Sequence, residues 1–387
     1  MKNIWISYFL AFCKNAWFWL GVWVFYYLLY TNYAGIGIIE TTLVITYILT
    51  EIPTGAIADL LGKKNTLFIS FLFKMIGSFM MAFAPNFIFL LTSVMVLAIG
   101  GTLYSGTLEA LIFDSLKQVK REKFYPKIIS NISSISLITT AVCGLLGGYF
   151  YLISPSLPFA LEGIISGFGL IGVFFLIEPQ IDTEVFSWSN YVRQTQQGFR
   201  QLTKTNNIVK QTLLLLSIGV ILLIADEMLN SFLGVEFHFK PEQLGVFWAV
   251  ILLISGFFSQ FTPKLLQFFS EKKLLIITGM VVAVSFIVSP FVGIVLGGLS
   301  LAVRSVSQVI FLNTGSILIN KNADSKYRAT TISTYNMLRN IPYALLAFFI
   351  GSLADIYSAK MIAFYLGIIL LILLSLQLST LRKARFV

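Results

Sequence analysis

Long apolar runs, most of about 20 or more residues, recur from one end of this chain to the other, and that recurrence limits the fold more than any other feature. A helix rises 1.5 Å per residue and therefore needs about 20 apolar residues to cross roughly 30 Å of bilayer hydrocarbon. Runs of this kind lie at Ile4–Thr31, Ile36–Ala58, Asn65–Ala84, Phe87–Leu116, Lys127–Ile153 and Leu157–Ile177, and again at Ile208–Gly234, Gln243–Phe269, Leu274–Ser289, Phe291–Ile319, Tyr327–Leu353 and Ala359–Leu381. Hydrocarbon offers the backbone no water, so each run is expected to close its own hydrogen bonds as a helix. The composition agrees: 57% of residues are hydrophobic and 11% charged, against about 25% charged in soluble domains. The expected fold class is an all-α membrane protein of twelve transmembrane helices.

The connections alternate between short uncharged turns, such as Pro85-Asn86 and Ser154-Pro155-Ser156, and basic segments such as Lys117 to Lys127. Lys and Arg resist translocation, so the basic segments belong on the cytoplasmic side. With the N-terminus inside, 21 of the 27 Lys and Arg fall in cytoplasmic segments and two, Lys240 and Lys360, fall outside. Lys14, Lys74, Arg304 and Arg339 lie within helices. One helix more or fewer would reverse every later loop, so this asymmetry supports the count. Both termini are expected in the cytoplasm of a multi-pass protein of the cell membrane, with the first helix retained rather than cleaved. The net charge of +10 then reflects topology and anionic lipid, and no nucleic-acid partner is needed.

The longest polar stretch, Glu178 to Asn207, separates two similar lengths of chain. The expected organisation is a six-helix bundle over 1–177, a cytoplasmic loop over 178–207 and a second six-helix bundle over 208–387. Within the loop, Tyr191 to Leu202 carries Val192, Phe199 and Leu202 among polar residues. It reads as an amphipathic helix on the membrane face or as a solvated tether.

Between the second and third helices stands Gly55-Ala56-Ile57-Ala58-Asp59-Leu60-Leu61-Gly62-Lys63-Lys64. Its glycines, acid and paired lysines resemble motif A of the major facilitator superfamily, in the loop where that family carries it. Ser105-Gly106-Thr107-Leu108-Glu109-Ala110, leading to Asp114, and Arg328-Ala329-Thr330-Thr331-Ile332-Ser333 are similar to segments of a bacterial and archaeal efflux-type branch. The resemblance spans the chain. It also has departures: Leu97 or Thr102 stands where many proton-coupled members carry a fourth-helix arginine. The fifth-helix antiporter motif is reduced to Gly144, Gly147 and Gly148 without its Gly-Pro pair, and the second-half equivalent of motif A, near Lys272 and Lys273, is degenerate.

Motif A also has a physical reading. Gly55 and Gly62 permit close approach of helix ends, Asp59 suits a neighbouring helix N-terminus, and Lys63 and Lys64 anchor the cytoplasmic side. Lys63 with Asp114 is expected to form a gate that holds the inner side closed. A plain positive-inside turn is the simpler alternative.

A charge in mid-helix costs a few kcal/mol to insert and usually faces a cavity or a partner. The resemblance implies that the first, fourth, seventh and tenth helices line a central cavity. Those helices carry Lys14, Glu109, Asp226 with Glu227, and Arg304, which are the candidate binding or coupling residues. Polar neighbours extend them at helical spacing as Thr102-Ser105-Glu109, Asp226-Asn230 and Arg304-Ser307-Gln308. Asp226 or Glu227 facing Arg304, and Glu109 facing Lys14, are the two expected acid–base pairs. Lys14 has the alternative of snorkelling to the surface. Lys74 and Arg339 read as scaffold charges.

Two cysteines in apolar runs and one histidine leave no disulfide framework, metal site or cofactor to expect. No nucleotide-binding or hydrolase motif stands in the sequence, so an enzyme is not expected. The expected function is secondary active transport of a small amphiphilic or hydrophobic molecule by a monomer, as proton-coupled efflux in contact with membrane lipids. A lipid flippase of the same fold is the alternative. The topology has a direct test: cysteines introduced at Asn206 and Lys383 should be labelled only from the cytoplasm and one at Asn86 only from outside. External labelling at Asn206 in intact cells would overturn the helix count.

Overall fold

The computed structural model describes residues 2–179, 188–324 and 327–383; the side chains of 52–60, 188, 190, 191, 329 and 378–383 lie outside the described set. All regular structure among the described residues is helical. The first stretch holds α1 (Lys2–Lys14), α2 (Trp23–Tyr27), α3 (Tyr33–Leu61), α4 (Lys63–Ala82), α5 (Phe87–Tyr104), α6 (Thr107–Gln118), α7 (Tyr125–Ile153) and α8 (Leu157–Phe174). The amphipathic α9 (Trp188–Leu202) follows. Beyond it come α10 (Asn206–Ile224), α11 (Asn230–Glu236), α12 (Pro241–Ser259), α13 (Thr262–Phe268), α14 (Glu271–Ile287), α15 (Ile294–Asn322), α16 (Arg328–Tyr357) and α17 (Ala359–Lys383). Among the described residues, eleven helical stretches are long and apolar enough to cross a membrane.

Several predicted helices are interrupted, each for a local reason. Ile4–Thr31 is not one helix but α1 and α2 with a non-helical turn between them. At the end of α1 the Asn15 amide donates to the Ala11 carbonyl (2.8 Å) and to Ser136 Oγ (2.9 Å), competing with the helical ladder. Phe87–Leu116 divides into α5 and α6 at Gly106, whose φ of 74° is a left-handed conformation that suits glycine. Thr102, Ser105 and Glu109 therefore do not continue one helical face. Gln243–Phe269 divides at Gln260-Phe261, with Pro263 in the first turn of α13. Ile208–Gly234 stays continuous, but Ala225–Leu229 forms a π-helical turn between α10 and α11.

The chain forms two compact units. The first comprises Met1–Thr31, Thr42–Ser187 and Lys240–Leu252, and the second Asn32–Thr41, Trp188–Phe239 and Leu253–Val387. In the first unit Leu10, Cys13, Leu67, Phe71, Leu108, Leu111 and Val173 build a core shared by α1, α4, α6 and α8. In the second, Leu222, Met228, Leu229, Phe232, Phe286 and Phe311 are buried together with polar side chains.

The α9 helix docks on α16, so protein covers one of its faces. Gln201 and Leu202 are buried, and Gln201 Nε2 and Lys204 Nζ donate to Asp324 at 2.9 and 3.0 Å. Hydrogen bonds from Lys204 and then Gln201 hold the Asp324 carboxyl below its ordinary range. This clamp is therefore complete above the unfolded carboxyl pKa and is lost as pH falls through the depressed folded value.

Transmembrane helices pack closely where small residues face one another. The turn between α1 and α2 rests on α7 at Gly147, where an added Cβ would lie 1.5 Å from the Phe18 carbonyl oxygen. Backbone cannot move aside as a side-chain tip can. Gly147→Ala should therefore destabilise the purified protein by about 3 kcal/mol, the upper part of the usual overpacking range, seen as a lowered melting temperature. Gly167→Ala, whose methyl would meet only Met75 Sδ at 3.3 Å, should melt near the wild type. Equal melting of the two variants would show that the turn does not rest on α7.

Candidate functional site

The motif A segment ends on a one-residue reversal. Gly62 has a φ of 82° between α3 and α4, and a Cβ there would lie 3.1 Å from the Glu178 carboxylate. The two Glu178 oxygens accept the N–H groups of Lys63 (2.8 Å) and Lys64 (2.6 Å), filling the N-terminus of α4. Lys63 Nζ lies 2.7 Å from Asp114 on α6, and Lys64 Nζ donates to the Phe174 carbonyl at 2.9 Å. The side chains of Gly55 and Asp59 lie outside the described residues.

Deeper in the first unit, Lys74 on α4 and Glu162 on α8 form an ion pair of 3.0 Å with side chains 7% and 2% exposed. The same Glu162 accepts Trp19 Nε1 (2.6 Å) and Ser78 Oγ (3.2 Å). Lys74 also donates to the carbonyl of Lys14, and Thr140 Oγ1 donates to that of Asn15 at 3.1 Å. The break after α1 exposes these carbonyls, and the side chains of α4 and α7 take them. Lys14 itself lies over the rings of Trp17 (5.2 Å) and Tyr104 (5.6 Å). Among the described residues no ion pair joins it to Glu109, which is exposed on α6. The expected Lys14–Glu109 pair is absent because the break at Gly106 redirects α6.

The second unit gathers three carboxylates: Glu40 on α3, and Asp226 and Glu227 on the π-helical turn. Tyr343 Oη on α16 donates to Glu40 at 2.9 Å, and Glu40 is buried. Gln308 of α15 lies beside the Asp226 carboxylate. Glu40 and Glu227 lie within electrostatic reach of each other, as do Asp226 and Glu227, and Arg339 of α16 reaches both of the latter. Although most of their surroundings are protein, Asp226 and Glu227 keep accessible surface. Arg339 Nε is buried and makes no hydrogen bond. Among the described residues, no group of three or more His, Cys, Asp or Glu side chains is arranged to hold a metal ion.

Arg304 does not face those acids. It is fully buried, donating to Asn230 Oδ1 (2.6 Å) and Ser285 Oγ (3.2 Å) and stacking 4.1 Å from the Phe286 ring centroid. Asp226–Gln308 and Asn230–Arg304 are successive rungs, one helical turn apart on antiparallel helices. The acid and the guanidinium therefore each meet a neutral amide, and the expected pairing of Asp226 or Glu227 with Arg304 is replaced by influence from Arg339. Ser307 and Gln308 share the buried face of α15 with Arg304.

Sequence reasoning passes over Glu40, Glu162 and Tyr343. The two acids stand inside apolar runs, so the rule that singled out Asp226 would have found them. Tyr343 carries no such signal. Breaking a buried ion pair from one side strands a charge, at a cost of about 3–5 kcal/mol. Glu162→Gln should therefore lower stability by that amount, whereas Lys74→Met with Glu162→Leu should recover much of it, both read as melting temperature. A double variant no more stable than Glu162→Gln would show that the Lys74 bond to the α1 carbonyl matters more than the pair.

The sequence matches the model of the Major Facilitator Superfamily over residues 4–345. No curated protein matches it at a significant level. Among solved structures, the nucleoside transporter NupG is similar at a TM-score of 0.80 and 16% identity, covering 98% of each chain. An auto-inhibited POT family peptide transporter is similar at 0.76 and 12%, covering 99% of this chain and 97% of its own. A bacterial homologue of the human lysosomal transporter Spinster gives 0.72 and 12%, with 98% and 96% covered. At these identities the structures speak to fold. The family model, spanning most of the chain, adds that this protein belongs to the Major Facilitator Superfamily and is a transporter rather than an enzyme.

Proposed function

We propose that the chain is an alternating-access secondary transporter in which Glu40, Asp226 and Glu227 carry the coupling proton. The observation that carries this reading is the gathering of three acids and one guanidinium, Arg339, within membrane-spanning helices. Such charges are costly to insert and are kept where they do work. A cluster with more acids than bases takes up or releases a proton when its surroundings change. Two of the three acids keep accessible surface, so a proton can reach them. The eleven long helices with α1 and α2 as a broken first crossing would make twelve, in bundles of six over 1–177 and 208–387. Both termini would then lie in the cytoplasm and the protein would act as a monomer in the cell membrane.

In this cycle the Lys63–Asp114 pair, with Glu178 on the N-terminus of α4, acts as a gate that holds one conformation. Lys14, with its aromatic neighbours Trp17 and Tyr104, and the exposed Glu109 are contacts for substrate. Arg304 and Gln308 position Asn230 and Asp226 and do not carry the proton. An abundance of aromatic side chains, with 36 Phe and 16 Tyr, suits an amphiphilic substrate, and export is the direction proposed.

The test uses proteoliposomes and an amphiphilic fluorescent dye that the wild type accumulates under an imposed pH gradient. Neutralising the proton carrier should abolish gradient-driven accumulation and leave counterflow exchange intact, because exchange needs alternating access but no net proton movement. Glu40→Gln, Asp226→Asn and Glu227→Gln should divide on this criterion. If all three accumulate dye as the wild type does, the coupling site is wrong, and a facilitator or lipid flippase becomes the better reading.

A further inference from the structure

Between α14 and α15, on the outer surface of the second unit, runs a groove of about 500 Å³ lined by valine, leucine and methionine, with Ser285 and Ser300 its polar residues. Its walls are open: Val284 is 54% exposed and Leu299 59%. Along α15 the lining extends from Val292, just before the helix, to Val303, about 16 Å at the helical rise. That is close to the hydrocarbon thickness of one leaflet, about 15 Å or half of the bilayer core.

One end of the groove carries a cation. Lys360, in the first turn of α17, donates from Nζ to the carbonyl of Val292 at 3.2 Å and lies 5.1 Å from the Phe237 ring centroid. Among the described residues it has no acidic partner at ion-pair distance. The Glu236 carboxylate is engaged by the backbone N–H groups of Ala359 and Lys360. Behind the groove, Ser285 and Ser300 both accept from Arg304, a second cation without a carboxylate on it. The surface thus combines an apolar trough one leaflet long, a lysine at one end and a positive charge beneath its floor.

We propose that this groove seats one acyl chain of an anionic phospholipid, with the headgroup phosphate held by Lys360. An ammonium with free donors meets a phosphate as a compact charge. A bound lipid lies against the two serines that brace Arg304, and by mass action it stabilises the folded protein.

Native mass spectrometry of the detergent-purified protein tests this with phosphatidylglycerol and phosphatidylcholine of identical acyl chains, with melting temperature as the second readout. One basic residue at a membrane surface favours the anionic lipid about fivefold. Wild type should show that preference and a matching rise in melting temperature. Lys360→Gln should bind the two lipids equally, and Lys360→Arg should keep the preference. Leu299→Trp, which fills the trough, should weaken binding of both lipids several-fold, whereas Ile164→Trp at an exposed position on α8 should not. Equal binding of the two lipids by the wild type would overturn the headgroup assignment, and wild-type binding by Leu299→Trp would overturn the groove. Neither measurement involves transport, so both outcomes are independent of the proposed proton coupling.

Discussion

A backbone carbonyl or N–H inside hydrocarbon has no water to bond, and this constraint organises the structure. Where a helix starts, acceptors must complete its first N–H groups. Three carboxylates do so in one manner, each oxygen taking one N–H of a helix start. Glu178 caps α4 at Lys63 and Lys64, Asp355 caps α3 at Tyr33 and Ala34, and Glu236 caps α17 at Ala359 and Lys360. Two of these starts follow one-residue reversals at positive φ, Gly62 and Ser358. At α17 the Ser358 hydroxyl accepts the Met361 N–H at 3.4 Å, and the Glu236 carboxylate takes the two N–H groups before it.

The same constraint explains why Lys74 and Arg304, both buried cations, have such different partners. The break after α1 frees two carbonyls, and Lys74 can serve one of them only if its charge is balanced, which Glu162 does at 3.0 Å. Arg304 sits in continuous α15 with no break to fill. Its charge is spread over a planar group that accepts neutral partners, the Asn230 and Ser285 oxygens, and an aromatic face. Asn230 Nδ2 is left buried without a partner, which is the cost of turning its oxygen to the guanidinium. A point charge such as an ammonium would not be held in that setting.

These distinctions also mark what is legible in the sequence. Helix existence is readable because about 20 apolar residues admit few alternatives, and all but one of the long runs appear as helices that could cross. Their interruptions are not readable, since Asn15 ends α1 through a bond to Ser136 on another helix, and residue spacing holds no record of such contacts. The Lys63–Asp114 contact is foreseeable from residues at facing helix ends. The partner of Arg304 is not, because Asp226 and Asn230 are one turn apart and spacing alone cannot choose between them. What decides is the register of α15, which sets Gln308 against Asp226 and so leaves Arg304 to Asn230.

That register bears on how the proposed cycle could work. Asp226 lies beside a neutral amide and not against Arg304, so it can gain or lose a proton without breaking an ion pair, whereas an acid locked to Arg304 would have to give up a strong charge-assisted bond first. Arg339 influences both Asp226 and Glu227 from another helix and makes no hydrogen bond that ties it to either. Its pull is therefore free to change as α16 moves relative to the π-helical turn. A π-helical turn departs from the α-helical ladder, and such turns are frequent at functional sites. Under the proposed reading, acids on such a turn, near a cation on another helix, would have a proton affinity that depends on helix position. In the proposed cycle that dependence would supply the coupling without any further moving part.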